Sequence, residues 1–205
     1  HGRSQGISAP RTPSPEPPVL LYPPMFAFLV ALLVLALPQA QVQPQPVVCS
    51  NVWESRAPEF EEYLKTAKVE KVTNIPIGVT RPRRAYLAPG GLVGSFAWKP
   101  IRPGMQSGYF ESYKSEIAAY ELDKLLGLNM VPVVVERRVE NELGAAVMWV
   151  EGVRSWESVQ PLPKPATWGF QLARMKMFDD LISNSDRNKG NLIVDADWHL
   201  YLIDH

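Results

Sequence analysis

Short runs of apolar residues, several of them alternating with polar residues, recur along the chain from Val69 and are separated by turn residues. This pattern predicts β-strands. A first strand begins at Val69 and runs into a loop that contains Gly78 and ends at Pro82. Further strands are predicted at 83–88, 92–100, 130–139 and 145–153. The Pro-Gly-Gly sequence at 89–91 predicts a hairpin turn between the second and third strands.

Two other segments carry apolar residues at the three- and four-residue spacing of a helix. The first is 112–127, with Ser112 as the expected N-cap and Gly127 as the stop. Its apolar stripe comprises Ala118, Leu122, Leu125 and Leu126. The second is 168–183, with Phe170, Ala173, Met177 and Leu181 on one face. Antiparallel strands with one inserted helix, followed by a helical region, predict an α+β fold.

The last predicted hairpin brings polar residues together. Two short apolar strands, 191–194 and 199–203, are joined by a tight turn rich in aspartate. The start of the first strand and the end of the second lie side by side in a hairpin, so we expect Asn191 and Asp204 to meet. Asp186 lies in the loop that enters the same end. Carboxylate and amide oxygens suit a hard cation such as Mg²⁺, and a nearby aspartate can orient or deprotonate an attacking hydroxyl.

The order of these polar residues is informative. Asp186 precedes Asn191 by five residues, and a strand–turn–strand unit then leads to Asp204. This is the arrangement of the catalytic and metal-binding loops of kinases. Upstream, Lys99 lies late on the third predicted strand and Glu116 lies on the flank of the first helix, as in the lysine–glutamate pair of a nucleotide site. Five elements in this order indicate a phosphotransferase.

Three stretches of the sequence resemble atypical kinases: SEIAAYELDKLLGLNMVP, SDRNKGN and LIDH. They are similar to the secretory-pathway kinases, a family that includes the Golgi casein kinase, and also to type II phosphatidylinositol 4-kinases and HipA-type kinases. The likeness covers roughly 69–205. It implies a protein-kinase-like fold, with an N-lobe of five antiparallel strands and one inserted helix, followed by the beginning of a helical C-lobe.

The resemblance also implies roles for individual residues. Asp186 would be the catalytic acid/base, and Asn191 and Asp204 would hold Mg²⁺ or Mn²⁺. Lys99 would contact the α- and β-phosphates of ATP, with Glu116 orienting it. The residues implied to bind the rest of the nucleotide are Gly78, Val79 and Thr80 in the phosphate-covering loop and Met148 and Val150 in the hinge beside adenine.

The predicted activity is transfer of the γ-phosphoryl group of ATP to a hydroxyl of a protein, lipid or sugar acceptor. Residues 52–205 are expected to supply only part of the kinase-like domain, so this chain alone is expected to be inactive. Two alternatives stay open. One is a nucleotide-binding pseudokinase or adaptor, and the other is a non-catalytic secreted binding domain in which the same polar residues are structural.

The N-terminal residues are predicted to lie outside this domain. Residues 1–24 are rich in proline and serine and are expected to be disordered or translated from upstream of the true start. The apolar stretch at 26–37 is shorter than the roughly 20 residues of a membrane span and has the length of a signal-peptide core. Residues 25–40 therefore predict either export, to a secretory or periplasmic compartment, or membrane anchoring and contact. Residues 41–51 form a predicted linker.

Charge and cysteine content exclude some classes of function. Lysine plus arginine equals aspartate plus glutamate at 21 each, so no overall basic field attracts nucleic acid, and no nucleic-acid partner is expected. The single cysteine, Cys49, excludes an intramolecular disulfide within these residues.

Overall fold

The computed structural model describes residues 53–76, 82–106 and 109–205, which belong to one unit of the chain. The predictions for 1–52, including the signal peptide or anchor at 25–40, lie outside these residues. The predicted phosphate-covering residues Gly78, Val79 and Thr80 lie outside them too. In the described ranges, no helix has the length and apolar character needed to cross a bilayer.

Ten strands and four helices make up the described part of the chain. The helices are α1 (Ala57–Thr66), α2 (Lys114–Leu126), α3 (Trp156–Val159) and α4 (Trp168–Leu181). The strands are β1 (Val69–Asn74), β2 (Arg83–Leu87), β3 (Ser95–Lys99), β4 (Gly104–Gln106), β5 (Tyr109–Glu111), β6 (Val134–Val139), β7 (Glu142–Met148), β8 (Arg154–Ser155), β9 (Leu192–Val194) and β10 (Leu200–Leu202). A single 3₁₀ turn, Lys189–Asn191, leads into β9.

The main sheet has the strand order β1-β2-β3-β7-β6, and every neighbouring pair is antiparallel. Helix α2 lies between β3 and β6 in the sequence and packs against β6 and β7. The α+β class, with a five-stranded antiparallel sheet and an inserted helix, is confirmed. The predicted last hairpin forms as β9–β10, and β8 joins it as a third strand that was not predicted. The hairpin β4–β5 was not predicted either.

The predicted boundaries of α2 are nearly right. The helix begins at Lys114, and the Ser112 hydroxyl accepts a hydrogen bond from the Lys114 backbone N–H at 3.1 Å. It ends at Gly127, whose φ of +63° is the left-handed conformation that favours glycine.

The predicted apolar stripe of α2 is wrong. Leu125 is 81 % exposed, and Ala118 and Leu126 are also exposed. The helix buries Glu116, Ala119, Tyr120 and Asp123 instead. The buried Glu116 and Asp123 have polar partners outside the helix, and the periodicity of apolar residues gives no information about such partners.

The predicted apolar face of α4 is also exposed. The residues on it are Phe170, Ala173, Met177 and Leu181. The helix instead buries Trp168, Phe178 and Asp179. Trp168 stacks on Trp156 of α3 at 5.7 Å and meets Trp198 edge-on at 5.4 Å. Aromatic contacts with the last hairpin therefore decide the orientation of α4.

Helix α1 precedes the main sheet and was not predicted. Proline in its first turn suits a helix start, and only Phe60 and Leu64 on it are buried. From β6, the Arg137 guanidinium donates to the Leu64 and Ala67 carbonyls at the other end of α1. This side chain thereby satisfies carbonyls that have no partner inside the helix.

Candidate functional site

A cleft of about 350 Å³ lies between the main sheet and the hairpin β9–β10. This volume falls within the range of about 300–1,000 Å³ that is usual for small-molecule pockets. Most of the wall is apolar: Ile75, Pro82, Ala97, Val147, Met148, Trp149, Val150, Val153, Ile193 and Ile203. Lys99, Asn191 and Asp204 form its polar end, together with Gly190.

A buried ion pair forms the floor of this polar end. Strand β3 ends at Lys99, whose Nζ donates a hydrogen bond to Glu116 Oε1 from α2. The same Nζ donates to Asp204 Oδ1 at 2.6 Å. The Lys99 and Glu116 side chains are 8 % and 3 % exposed, whereas that of Asp204 is 53 % exposed. One ammonium group thus joins a buried carboxylate to a carboxylate that faces the opening.

Lys99 and Glu116 each favour the charged form of the other. Burial disfavours the charged form of Lys99, but the carboxylates of Glu116 and Asp204 outweigh burial and raise the lysine pKa. Burial likewise raises the pKa of Glu116, but Lys99 and the hydrogen bond from His205 outweigh it, so that this pKa is lowered overall. With all three groups ionised, their charges sum to one negative charge, which suits a cation beside Asp204.

The end of β10 carries Asp204 to the lysine and also secures Glu116. Asp204 has a φ of +64°, which turns the chain sharply. The next backbone N–H, that of His205, donates to Glu116 Oε1 at 3.0 Å. The buried His205 ring lies edge-on to Phe178 of α4, with the ring centroids 6.1 Å apart. Main-chain and side-chain contacts of His205 therefore join α2, α4 and the last hairpin.

Asn191 and Asp204 are neighbours, as the hairpin geometry predicts. The Ile203 N–H donates to the Asn191 carbonyl at 3.1 Å, and both polar side chains line the cleft. In the described ranges, no group of three or more His, Cys, Asp or Glu side chains is arranged to hold a metal. An amide oxygen plus a carboxylate oxygen nevertheless fits a Mg²⁺ ion that takes its remaining ligands from phosphate and water.

Asp186 differs from the other predicted site residues. Its side chain is exposed and lies outside the set that lines the cleft. Its backbone N–H donates to Asn184 Oδ1 at 3.2 Å. Lys99, Glu116, Asn191 and Asp204 therefore converge at the polar end of the cleft, and Asp186 stays at the edge of this group, on the loop that leads into it.

An ion pair that was not predicted holds this loop in place. Arg187 pairs with Asp179 of α4 at 2.8 Å, and both side chains are largely buried. The same guanidinium donates to the Ile203 carbonyl at 2.7 Å and to the Asn191 carbonyl at 3.3 Å. Arg187 thus connects the loop after Asp186 with both strands of the hairpin. An aspartate within a helix that precedes the loop by a few residues is the signal that could have indicated this pair.

The predicted hinge residues lie at the opposite, apolar end of the cleft. The Met148 N–H donates to the Val133 carbonyl at 2.8 Å, and the Trp149 N–H donates to the Ser95 carbonyl at 3.1 Å. In the part of the chain that the structure describes, the N–H and C=O of Val150 have no hydrogen-bond partner. Val150 lines the cleft, and its backbone carries one donor and one acceptor that no other described residue engages.

Gly144 on β7 is a further residue that sequence reasoning missed. A Cβ atom at this position would lie 2.6 Å from the Lys99 carbonyl oxygen and 2.8 Å from the Trp98 ring. These distances are too short for a Cβ atom, so no residue with a side chain fits at this position without a shift of its neighbours. The absence of a Cβ atom at Gly144 therefore lets β7 lie against β3 where β3 carries Lys99.

Asp123, two helical turns beyond Glu116 on α2, is a second buried carboxylate. It accepts the Met130 N–H with its two oxygens at 3.1 and 3.2 Å, which secures the loop after the helix. Burial raises its pKa to about 6, in spite of the hydrogen bonds from Met130 and Val131. Because the folded-state pKa exceeds the ordinary 3.8, Asp123 favours the folded state below about pH 4, and this contribution is lost as pH rises through about 6.

We expect Asp123→Asn to flatten the dependence of stability on pH. The difference between about 6 and 3.8 corresponds to about 3 kcal/mol. Between pH 4 and pH 8 the wild type should therefore lose up to about 3 kcal/mol more unfolding free energy than the variant. Urea denaturation across this range measures the difference, with Asp197→Asn, exposed in the β9–β10 turn, as the control. Parallel curves for wild type and Asp123→Asn would contradict the prediction.

No protein-family model matches this chain, and the comparison with curated proteins finds no match either. The resemblance to atypical kinases stays a prediction.

Proposed function

We propose that this chain binds ATP together with Mg²⁺ or Mn²⁺ in the cleft, and that the complete kinase-like domain, of which residues 52–205 are proposed to form part, transfers the γ-phosphoryl group to a hydroxyl of a protein, lipid or sugar. The observation that carries the proposal is the pairing of Lys99 with Glu116 and Asp204 at the polar end of an apolar cleft. Burying an ion pair contributes little to stability, and a desolvated charged group with a specific partner in a cleft is a candidate for a functional site.

The apolar end of the cleft suits adenine. In the proposal, aliphatic side chains cover the two faces of the base, with Val147 and Ile193 among those that line the cleft. The N–H and C=O of Val150, which have no hydrogen-bond partner among the described residues, would provide one donor and one acceptor for the edge of the ring. Apolar walls with a few convergent polar groups are the usual composition of a small-molecule site.

The polar end suits phosphate. The Lys99 ammonium binds phosphate oxygens, and Glu116 holds it in place from below. Asn191 and Asp204 are the residues that would hold the metal ion, which neutralises charge on the transferring phosphoryl group when bound. The five-stranded sheet, with α2 behind it and the start of a helical region below the cleft, is compatible with the kinase-like N-lobe and partial C-lobe proposed for residues 52–205.

Phosphoryl transfer requires little covalent participation by the protein. Asp186 would accept the proton of the acceptor hydroxyl as its oxygen attacks the γ-phosphorus. The bond between the γ-phosphorus and the bridging oxygen then breaks, and ADP leaves. Lys99 stabilises the negative charge that is present on the phosphates throughout. The acceptor would approach from the side of the loop that carries Asp186, which is exposed.

A second candidate is a protein that binds the nucleotide without transferring phosphate. The position of Asp186 outside the lining of the cleft favours it, because a general base has to reach the attacking hydroxyl. Both candidates require the same nucleotide site, and turnover separates them.

Thermal unfolding with ATP plus Mg²⁺ or Mn²⁺ tests the nucleotide site. A ligand at 100 times its dissociation constant should stabilise the protein by about 2.7 kcal/mol, which is a rise of roughly 5–10 °C for a domain of this size. The rise should require the metal and should be lost in Asp204→Ala. In the complete kinase-like domain, the same variant should also lose metal-dependent turnover. The half-exposed Asp204 side chain makes this variant a mild change to the fold.

The matched control is Asp197→Ala, which removes an exposed aspartate from the β9–β10 turn and should keep the rise. No rise in well-folded wild type would reject the nucleotide site and would favour a binding domain in which these residues are structural. An equal rise in Asp204→Ala would reject the assigned metal ligand.

A further inference from the structure

Helix α1 contacts the helix that carries Glu116. Glu61 Oε1 accepts a hydrogen bond from the Tyr120 hydroxyl at 2.8 Å and another from Lys124 Nζ at 2.8 Å. Tyr120 lies one turn after Glu116 on the buried face of α2, and Lys124 follows one turn later. A single carboxylate of α1 therefore contacts two successive turns of α2. These two contacts restrict the rotation of α2 and its translation along the helix axis.

The segment that carries Glu61 is itself secured at several points. Phe60 and Leu64 are buried in the core, and the Arg137 guanidinium from β6 binds carbonyls at the end of α1. Upstream, Trp53 packs against Tyr201 of β10, with their ring centroids 5.4 Å apart. The segment 53–66 therefore contacts the main sheet, the helix with Glu116 and the strand that leads into Asp204.

Helix α2 depends on such contacts because little apolar surface holds it. Of its leucines, Leu125 and Leu126 are exposed and Leu122 is only partly buried. Tyr120 is the largest buried side chain of α2, and its hydroxyl donates a hydrogen bond to Glu61. The contact with Glu61 therefore acts together with the packing of α2 on β6 and β7 and with the hydrogen bond from His205 to Glu116.

We infer that Glu61 is a positioning residue that holds α2 where Glu116 meets Lys99. The inference concerns regulation of the proposed nucleotide site and rests on that function for its effect on ATP binding. The pairing of Glu116 with Lys99 does not depend on the function and can be measured without nucleotide. Any change that lifts α1 from α2 would weaken the phosphate end of the cleft from a distance.

The first experiment measures Lys99 directly in the absence of nucleotide. Acetic anhydride modifies uncharged, accessible amines, and mass spectrometry gives the rate at each lysine. In Glu61→Ala, the rate at Lys99 should rise at least about fivefold relative to exposed Lys176, in line with the usual size of coupling between sites. Glu61→Gln, which keeps an acceptor for the Tyr120 hydroxyl, should give a smaller rise. Glu62→Ala, which removes the adjacent exposed glutamate, should give none.

The second experiment measures the affinity for ATP–Mg²⁺ at a temperature where every variant is folded. Glu61→Ala should weaken binding about 5–10-fold, and adding Tyr120→Phe should cost little more, because the two residues act through one contact. The inference would be overturned if Glu61→Ala lowered the unfolding temperature but had the same Lys99 modification rate and the same ATP affinity as Glu62→Ala. If the wild type binds no ATP–Mg²⁺, the proposed function fails, and the Lys99 rates still decide the positioning role.

Discussion

Lys99→Met should lower the unfolding free energy by about 3 kcal/mol and abolish ATP binding, and adding Glu116→Gln should restore most of the stability without the binding. Removal of one partner from a buried ion pair costs about 3–5 kcal/mol because the remaining charge stays buried and unpaired. In Lys99→Met that charge is the Glu116 carboxylate, which is 3 % exposed. The exposed Asp204 carboxylate is solvated and contributes little to the cost.

The added substitution Glu116→Gln removes the buried carboxylate charge that Lys99→Met leaves unpaired. The glutamine amide in Glu116→Gln still accepts the His205 N–H, which donates to Glu116 Oε1 in the wild type. A neutral pair of similar volume replaces a charged one, and such replacements are often neutral for stability. Binding does not recover, because methionine offers the nucleotide phosphates no positive charge.

Urea denaturation of the wild type, the two single variants and the double variant gives the coupling energy, and calorimetric titration with ATP–Mg²⁺ gives the affinity. Lys114→Met, which removes an exposed lysine at the start of α2, is the control and should change neither quantity. If the double variant is as unstable as Lys99→Met, the pair is not an isolated electrostatic unit. If Lys99→Met still binds ATP, the lysine is structural and the proposed phosphate site is wrong.

What could be predicted from the sequence was local. Alternation of apolar and polar residues located the five strands of the main sheet, and a tight turn between two short strands was enough to bring Asn191 beside Asp204. Gly127 ended α2 as predicted because its left-handed backbone suits glycine. In each case neighbouring residues along the chain determine the geometry.

What could not be predicted depends on distant partners. Lys99 lies 17 residues from Glu116 and 105 residues from Asp204 in the sequence. The pairing of Lys99 with Glu116 turns the face of α2 that carries Glu116 inward and leaves Leu125 exposed to solvent. Helix α1 was missed because it buries only Phe60 and Leu64, too few to form a periodic pattern. Arg187 was missed because its partner Asp179 sits in a helix whose apolar residues suggested a different buried face.

In the complete kinase-like domain, Asp186→Asn should lower ATP turnover by about 10²–10⁴-fold, the usual contribution of a general base, while the affinity for ATP–Mg²⁺ changes by less than about threefold. The exposed carboxylate lies outside the lining of the cleft, so its loss should not disturb bound nucleotide. Asparagine keeps the size of the side chain and, in place of the carboxylate, presents a group that cannot accept the proton.

Release of ADP measures turnover whether the phosphoryl group goes to water or to an acceptor, so the assay does not require the acceptor to be known. Asp197→Asn, in the exposed β9–β10 turn, is the matched control and should leave turnover unchanged. Equal turnover in Asp186→Asn and wild type would show that another group takes the proton. Tight ATP–Mg²⁺ binding without turnover in the complete wild-type domain would instead select the second candidate, because Lys99 and Asp204 would then bind a nucleotide whose γ-phosphate stays in place.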